Sequence, residues 1–207
     1  MATFVGIDVG GKRKGFHGVA LDGSRYRTHA TLGNSIEVVN WVTAMNPDIV
    51  AIDAPSGWSK SNGRSRASER DLHREGVHCF FTPSNAMRKA SKSKSWNYEW
   101  IANAHEVYAR LRADYPLFDR TWRAKGICIE SYPHAVECAL GGDTIVAKRK
   151  VARRRELLDQ LGIENKLLPN IDYVDAALCA ITALRFSVRK YRAYGDRNEG
   201  FIVVPSA

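Results

Sequence analysis

Three short apolar runs in the sequence each end in a carboxylic acid, and this repetition constrains the fold more than any other feature. The three acids are Asp8, Asp53 and Glu130, and the runs before them are rich in Val and Ile. Runs of this length, bounded by glycine or proline, are typical of buried strands. If the strands are adjacent and parallel, the acids meet at one edge of a sheet, where open α/β sheets place their ligand crevice. Capping of the Gly10-Gly11 turn is an alternative role for Asp8, but capping alone explains three such acids poorly.

The succession of elements predicts an α/β domain built on a mixed sheet. The first three strands are short and separated by tight turns, which favours an antiparallel meander. A helix then precedes the strand that ends at Asp53, so that strand is expected to lie parallel to the first. Strands are expected at 4–8, 16–21, 25–32, 48–53 and 126–130, with a terminal edge strand at 200–205.

The length indicates one globular domain spanning 1–207. The order of the elements places an insertion around 58–115, before the second parallel strand. No apolar run is long enough to cross a membrane, and the first residues lack the profile of a signal peptide. The four cysteines form no C-x-x-C pair, which favours reduced thiols over disulfides or a zinc site. We therefore expect a cytoplasmic protein that does not associate with membranes.

The net charge of +9 favours a polyanionic partner, and nucleic acid above all. The basic residues form clusters, and the densest holds six Lys or Arg among the eight residues 148–155. These clusters predict phosphate contacts, although solvated loops and faces are the ordinary alternative. The candidate substrate-binding residues are Lys12, Arg64, Arg66, Arg70, Lys148, Arg149 and Arg153.

A second basic segment, which includes Arg88 and Lys89, is followed by the aromatic residues Trp96, Tyr98 and Trp100. Basic residues beside aromatic rings suit single-stranded nucleic acid, through phosphate contacts and base stacking. The alternative, which we favour for at least two of the rings, is that they lie on the core face of a helix.

The last long helix, expected from Ile171 to about Lys190, carries two further acids, Asp172 and Asp175. Their i, i+3 spacing places both on one face of the first turn. Capping of the helix is an alternative role for Asp172. Asp175 lies inside the helix, where a cap cannot explain it.

Five short motifs follow one another in an order that resembles a known family. They are Gly6-Ile7-Asp8, Ile52-Asp53-Ala54-Pro55, Cys79-Phe80-Phe81-Thr82-Pro83, Glu130-Ser131-Tyr132-Pro133 and Asp172-x-x-Asp175-Ala176. Together they resemble the domain-of-unknown-function family described as predicted RNase H-like nucleases. The resemblance spans Gly6 to Pro205. It implies a ribonuclease H-like α/β fold: a mixed five-stranded sheet, three antiparallel and then two parallel strands, flanked by helices and carrying a helical insertion.

The resemblance also implies metal-dependent hydrolysis of phosphodiester bonds. The implied metal ligands are Asp8, Asp53 and Asp175, with Asp172 as the fourth, and the last two are similar to the paired helical aspartates of Holliday-junction resolvases. Glu130 completes the implied catalytic set through the family's Glu-x-x-Pro motif, with its role as metal or substrate ligand left open. Resolvase-like enzymes often work as dimers, so a homodimer is possible.

The residues themselves support the same chemistry. A site with only oxygen ligands favours Mg²⁺ or Mn²⁺ over zinc, and two such ions about 4 Å apart can catalyse in-line phosphodiester hydrolysis. One alternative is a non-catalytic module of the same fold that binds nucleic acid. A phosphotransferase of the sugar-kinase and actin superfamily is less favoured, because those proteins need two such domains.

Overall fold

The protein is described here by a computed structural model that covers residues 1–11, 13–60, 64–90, 98–141 and 149–206. Its centre is a mixed sheet of seven strands in the order β3-β2-β1-β4-β5-β7-β6. The strands are β1 (Thr3–Val9), β2 (Phe16–Asp22), β3 (Arg25–Leu32), β4 (Ile49–Asp53), β5 (Ile127–Ser131), β6 (Tyr191–Asp196) and β7 (Gly200–Pro205).

The directions of the first five strands follow the prediction from the sequence. The strands β1, β2 and β3 form an antiparallel meander, and β4 and β5 run parallel to β1. The predicted count of five strands is wrong, because β7 pairs in parallel with β5 and β6 pairs antiparallel with β7. The segment 200–205 is therefore an internal strand rather than the predicted edge strand.

Seven α-helices lie within the described residues: α1 (Ser35–Met45), α2 (Ala67–Arg74), α3 (Asn85–Ala90), α4 (Glu99–Leu111), α5 (Pro133–Gly141), α6 (Lys150–Gln160) and α7 (Ile171–Ser187). The helix α7 ends three residues before the predicted end at Lys190, and β6 follows. No helix in these parts of the chain is long and apolar enough to cross a membrane.

The predicted insertion around 58–115 contains α2, α3 and α4 and contributes to the core. Ala104, Val107 and Leu111 of α4 are buried in the same apolar cluster as Val5 and Ile7 of β1. The helix α2 packs on β6 and β7. The described parts of this segment form part of the packing on which the sheet depends.

The two faces of the sheet are covered by different helices. Along β1, Val5 and Ile7 pack against α1 and α4 on one face, whereas Phe4 packs with Cys179 and Ala183 of α7 on the other. Because side chains alternate along a strand, Asp8 belongs to the α7 face.

The close approach of α7 to β1 depends on a glycine. A Cβ atom at Gly6 would lie 1.9 Å from the carbonyl oxygen of Ala176 and 2.5 Å from the amide nitrogen of Ala180. Any larger residue would push the helix off the strand. This contact brings the first turn of α7 over the carboxyl end of β1.

We expect Gly6→Ala to destabilise the protein, because the methyl group collides with helix backbone that cannot move without displacing α7. Overpacking of this kind costs roughly 1–3 kcal/mol, and a backbone clash places Gly6→Ala at the upper end. The measurement is the free energy of unfolding from denaturant titration. The control is Gly141→Ala at the end of α5, where a Cβ atom would meet nothing within 4 Å. Equal stability of the two variants would contradict direct packing of α7 on β1.

Candidate metal centre at the carboxyl edge of the sheet

Three of the predicted aspartates meet at the carboxyl ends of β1 and β4. Asp8 and Asp53 are register partners on these parallel strands, and Asp175 reaches them from the first turns of α7. Each offers a carboxylate oxygen, and the three oxygens lie within 4.8 Å of one another. Oxygen atoms at this spacing can ligate one cation together.

Asp8 also belongs to a second group of potential ligands, with His17 and Asp172. The ligand atoms of these three residues likewise lie within 4.8 Å of one another. The first turn of α7 is capped by Asn170, whose side-chain oxygen accepts hydrogen bonds from the backbone N–H groups of Asp172 and Tyr173. The carboxylate of Asp172 is therefore not required as a cap, which was the alternative that its position suggested.

The environment of His17 suits a ligand. It stands opposite Asp8 in the β1–β2 register, with its Nδ1 atom 3.8 Å from an Asp8 oxygen. The ring is buried, and Nδ1 has no hydrogen-bond partner within the described parts of the chain. Burial lowers the pKa of His17, which favours the neutral imidazole that binds metals. A buried nitrogen without a hydrogen-bond partner, beside carboxylates, suits the role of a metal ligand.

The aspartates are held close against their mutual repulsion. Burial, followed by the charges of Asp175 and Asp172, raises the pKa of Asp8 from 3.8 to about 7. Burial and the charges of Asp8 and Asp175 also raise the pKa of Asp53 well above its ordinary value. The fold therefore concentrates negative charge where a divalent cation would relieve it.

Basic side chains partly offset this charge. An Arg154 N–H donates to Asp175, and the Lys150 ammonium lies 3.2 Å from the other oxygen of Asp175. The Lys14 ammonium donates to Asp172 at 3.0 Å. Since Arg154 also donates to Glu137 at 2.9 Å, its single charge is shared between two acids. The acidic groups of the cluster therefore outnumber the basic groups that contact them.

Lys150 and Arg154 were not among the residues that the sequence analysis singled out for the acidic site. The basic run 148–155 suggested an external phosphate surface, but Arg154 is only 3% exposed. A signal was present in the spacing: Lys150, Arg154, Leu157 and Leu158 lie along one face of a helix at intervals of three or four residues. A face that carries buried leucines lies against the protein, so its charges need internal partners.

Glu130 does not join the aspartates. The β4–β5 register pairs Asp53 with Ser131, and Glu130 with Ile52. This offset of one residue turns the Glu130 side chain to the other face of the sheet. There its carboxylate accepts two hydrogen bonds from the Arg66 guanidinium and one from the backbone N–H of Ser56 at 2.7 Å. The expectation that Glu130 meets the other acids is corrected by this register.

Arg66 is likewise placed in the interior rather than on a phosphate-binding surface. It is 1% exposed, and besides Glu130 it donates from Nε to Glu69 at 2.9 Å. A phosphate would reach this guanidinium only by breaking buried ion pairs, at a cost of several kcal/mol. Arg66 therefore holds the start of α2 against β5.

The other predicted substrate-binding residues lie nearer the surface. Arg64 and Arg149 are exposed. The Arg70 side chain is 42% exposed and lies 3.6 Å from Glu199, and Arg153 lies 3.6 Å from Glu137. Lys12 and Lys148 fall outside the described residues.

An aromatic surface adjoins Asp53 at the same sheet edge. Phe80 and Trp100 line one small pocket with Asp53, and their ring centroids lie 5.7 Å apart. Phe80 is 48% exposed, whereas Trp100 packs partly buried against the core; the core position is the one we favoured for at least two of the three rings. The ring centroids of Tyr98 and Phe80 lie 6.2 Å apart. Trp96 lies outside the described residues.

The chain belongs to the family described as "Protein of unknown function (DUF429)", whose model matches residues 6–199. This confirms the membership of a domain-of-unknown-function family that the five motifs indicated. No curated protein and no solved structure shows significant similarity to the chain.

The raised pKa of Asp8 predicts how metal binding varies with pH. Below pH 7 a proton on Asp8 competes with the cation, so Mn²⁺ should bind about tenfold more weakly at pH 6 than at pH 8. The stability of the metal-free protein changes in the opposite direction: it falls as pH rises. A carboxyl whose pKa rises on folding stabilises the native state at low pH, and this contribution is lost as pH rises from 3.8 towards about 7.

Calorimetric titration with Mn²⁺ at the two pH values measures the first effect, and denaturant titration without metal measures the second. Asp114→Asn, at an exposed position, serves as the control and should behave as the unmodified protein. Mn²⁺ affinity that does not change between pH 6 and pH 8 would contradict a site built on Asp8.

Proposed function

We propose that this protein is a metal-dependent nuclease that hydrolyses phosphodiester bonds in nucleic acid. The observation that carries the proposal is the convergence of Asp8, Asp53 and Asp175, with oxygens within 4.8 Å of one another. A second set of potential ligands shares Asp8 with this group, so the five residues of the two sets could hold two cations. Paired cations at one acidic edge are the arrangement that phosphoryl-transfer enzymes use.

The donor set favours Mg²⁺ or Mn²⁺ as the cofactor. Carboxylate oxygens dominate it, and these suit hard divalent ions, while the one imidazole of His17 is compatible with Mn²⁺. Asp53 and Asp175 would hold one ion with Asp8, and Asp172 and His17 the other. When bound, such ions supply an activated water and charge stabilisation for the leaving oxygen.

The residues of the chain orient these ligands. The Asp8–Asp53 register fixes two carboxylates on rigid strands, and the Gly6 contact fixes the first turns of α7 above them. The Arg154 hydrogen bond holds the rotamer of Asp175. Ligands that are supported in this way lose little entropy when a cation binds.

The order of the first five strands supports a ribonuclease H-like fold. Three antiparallel strands lead into two parallel ones, with acids at the ends of the central pair β1 and β4. The strands β7 and β6 extend this arrangement at the far edge.

Nucleic acid as the substrate is supported by charge and by aromatic surface. The protein carries nine more basic than acidic residues, and the exposed ring of Phe80 lies beside Asp53. A base stacked on Phe80 would bring its phosphate towards the aspartates, since single-stranded nucleic acid commonly binds through stacking and phosphate contacts together.

A non-catalytic nucleic-acid-binding module of the same fold is the second candidate. The observation that favours it is the pairing of Asp175 with both Lys150 and Arg154. Two cationic side chains on one carboxylate can substitute for a metal, which would leave a stable site without turnover.

The test is cleavage of labelled RNA, DNA, RNA–DNA hybrid and branched DNA in the presence of Mg²⁺ or Mn²⁺. Asp8→Asn should lower the rate at least about a hundredfold, because it removes the ligand common to both groups. The same variant should be more stable than the unmodified protein without metal at pH 8, because a repelled carboxylate has been removed. Asp114→Asn should change neither property.

Metal-dependent cutting that survives in Asp8→Asn would refute the assigned site. Salt-sensitive binding to nucleic acid without any cutting would favour the binding module.

A further inference from the structure

Two arginines in the described residues adopt a backbone conformation that arginine rarely adopts. Arg120 has φ +77° and Arg189 has φ +61°, and the other non-glycine residue with positive φ is Asn46, at +48°. Asparagine tolerates this left-handed region, whereas other side chains clash there with their own backbone. Arginine at either position therefore carries backbone strain.

The local hydrogen bonds show that the backbone alone does not require arginine. Arg189 follows α7, where Lys190 N–H donates to the Arg185 carbonyl at 2.9 Å and Arg189 N–H donates to Phe186 at 3.0 Å. This is the Schellman pattern, whose left-handed position is usually glycine. Arg120 occupies a turn closed by a hydrogen bond from Thr121 N–H to the Asp119 carboxylate, at 2.9 Å. Glycine would satisfy either turn without strain.

The two side chains meet at one cleft and lie on aromatic rings. The guanidinium carbon of Arg189 lies 4.0 Å from the ring centroid of Trp122, and that of Arg120 lies 5.0 Å from Phe201. With Tyr191 they line a cleft of about 370 Å³. This volume lies within the range of small-ligand sites.

The cleft has strong donors that the described parts of the chain do not use. No side-chain hydrogen bond or ion pair of either guanidinium occurs within those parts, and no carboxylate lines the cleft. Each guanidinium carries five N–H donors in its plane, and stacking on a ring leaves that plane open. Burial raises the pKa of Tyr191, while the charges of Arg189 and Arg120 both lower it. Both guanidiniums therefore lie close enough to the Tyr191 hydroxyl to affect it.

We propose that this cleft binds the phosphate of a nucleotide, with the base packed against the aromatic wall of Trp122 and Tyr191. Paired guanidiniums match the geometry of phosphate oxygens, and an aromatic wall without carboxylates suits a base. The source is either a free mononucleotide or a nucleotide within a nucleic-acid strand.

This site is separate from the acidic centre. Asp175 and Arg189 lie near opposite ends of the 17-residue helix α7, about 20 Å apart along its axis. Nucleotide binding at this cleft does not require nuclease activity and can be measured without it.

The experiment measures binding of adenosine 5′-monophosphate, inorganic phosphate and a short single-stranded oligonucleotide by titration in EDTA, which removes divalent cations. The variants are Arg120→Gly and Arg189→Gly, with Arg25→Ala in the β2–β3 hairpin as the charge-matched control. Each glycine variant should weaken nucleotide binding at least tenfold, while its unfolding midpoint stays the same or rises. Arg25→Ala should leave the affinity unchanged.

The pattern of ligands identifies the source. If the mononucleotide binds, and binds more weakly to the two glycine variants, the ligand is a free nucleotide. If only the oligonucleotide binds, the ligand is a nucleotide within a strand. Binding of neither nucleotide ligand, or equal binding by all variants, would overturn the proposal. A lower unfolding midpoint in both glycine variants would also overturn it, because the arginines would then serve the fold.

Discussion

The contact between α7 and β1 at Gly6 is the constraint on which the site depends. The helix backbone lies where a side chain would otherwise be, and its first turns are thereby fixed above the carboxyl ends of β1 and β4. This position of α7 places Asp175 and Asp172 close to Asp8 and Asp53. Burial and the resulting repulsion raise the pKa values of Asp8 and Asp53, and the packing of α7 against the sheet sustains this arrangement.

Buried acids have different partners on the two faces of this sheet edge. On the α4 face, Glu130 and Glu69 are joined by Arg66 in a closed set of hydrogen bonds, so the charges are satisfied within the protein. On the α7 face, Arg154 and Lys150 serve Asp175, and Arg154 is shared with Glu137, which leaves Asp8 and Asp53 without a cationic partner of their own among the described residues. That difference distinguishes a structural ion pair from a candidate metal centre.

The sequence predicted the positions of the four aspartates because their strands and helix have strong apolar periodicity. It could not predict that Glu130 turns away, since strand register depends on packing between distant segments and a shift of one residue reverses the face. The strand β6 carries no apolar run and is half-exposed, so no pattern marked it. Arg66 and Arg154 lie in polar segments whose composition suggests solvent; only the tertiary structure shows that both are buried.

The most direct test of this account is the anomalous diffraction of crystals grown with Mn²⁺. The account predicts a manganese peak coordinated by Asp8, Asp53 and Asp175, with the Lys150 contact released. A second peak beside His17 and Asp172 would establish a two-metal centre. Electron density without manganese at these aspartates, with Lys150 still in contact with Asp175, would contradict the account and leave a fold whose acids are neutralised from within.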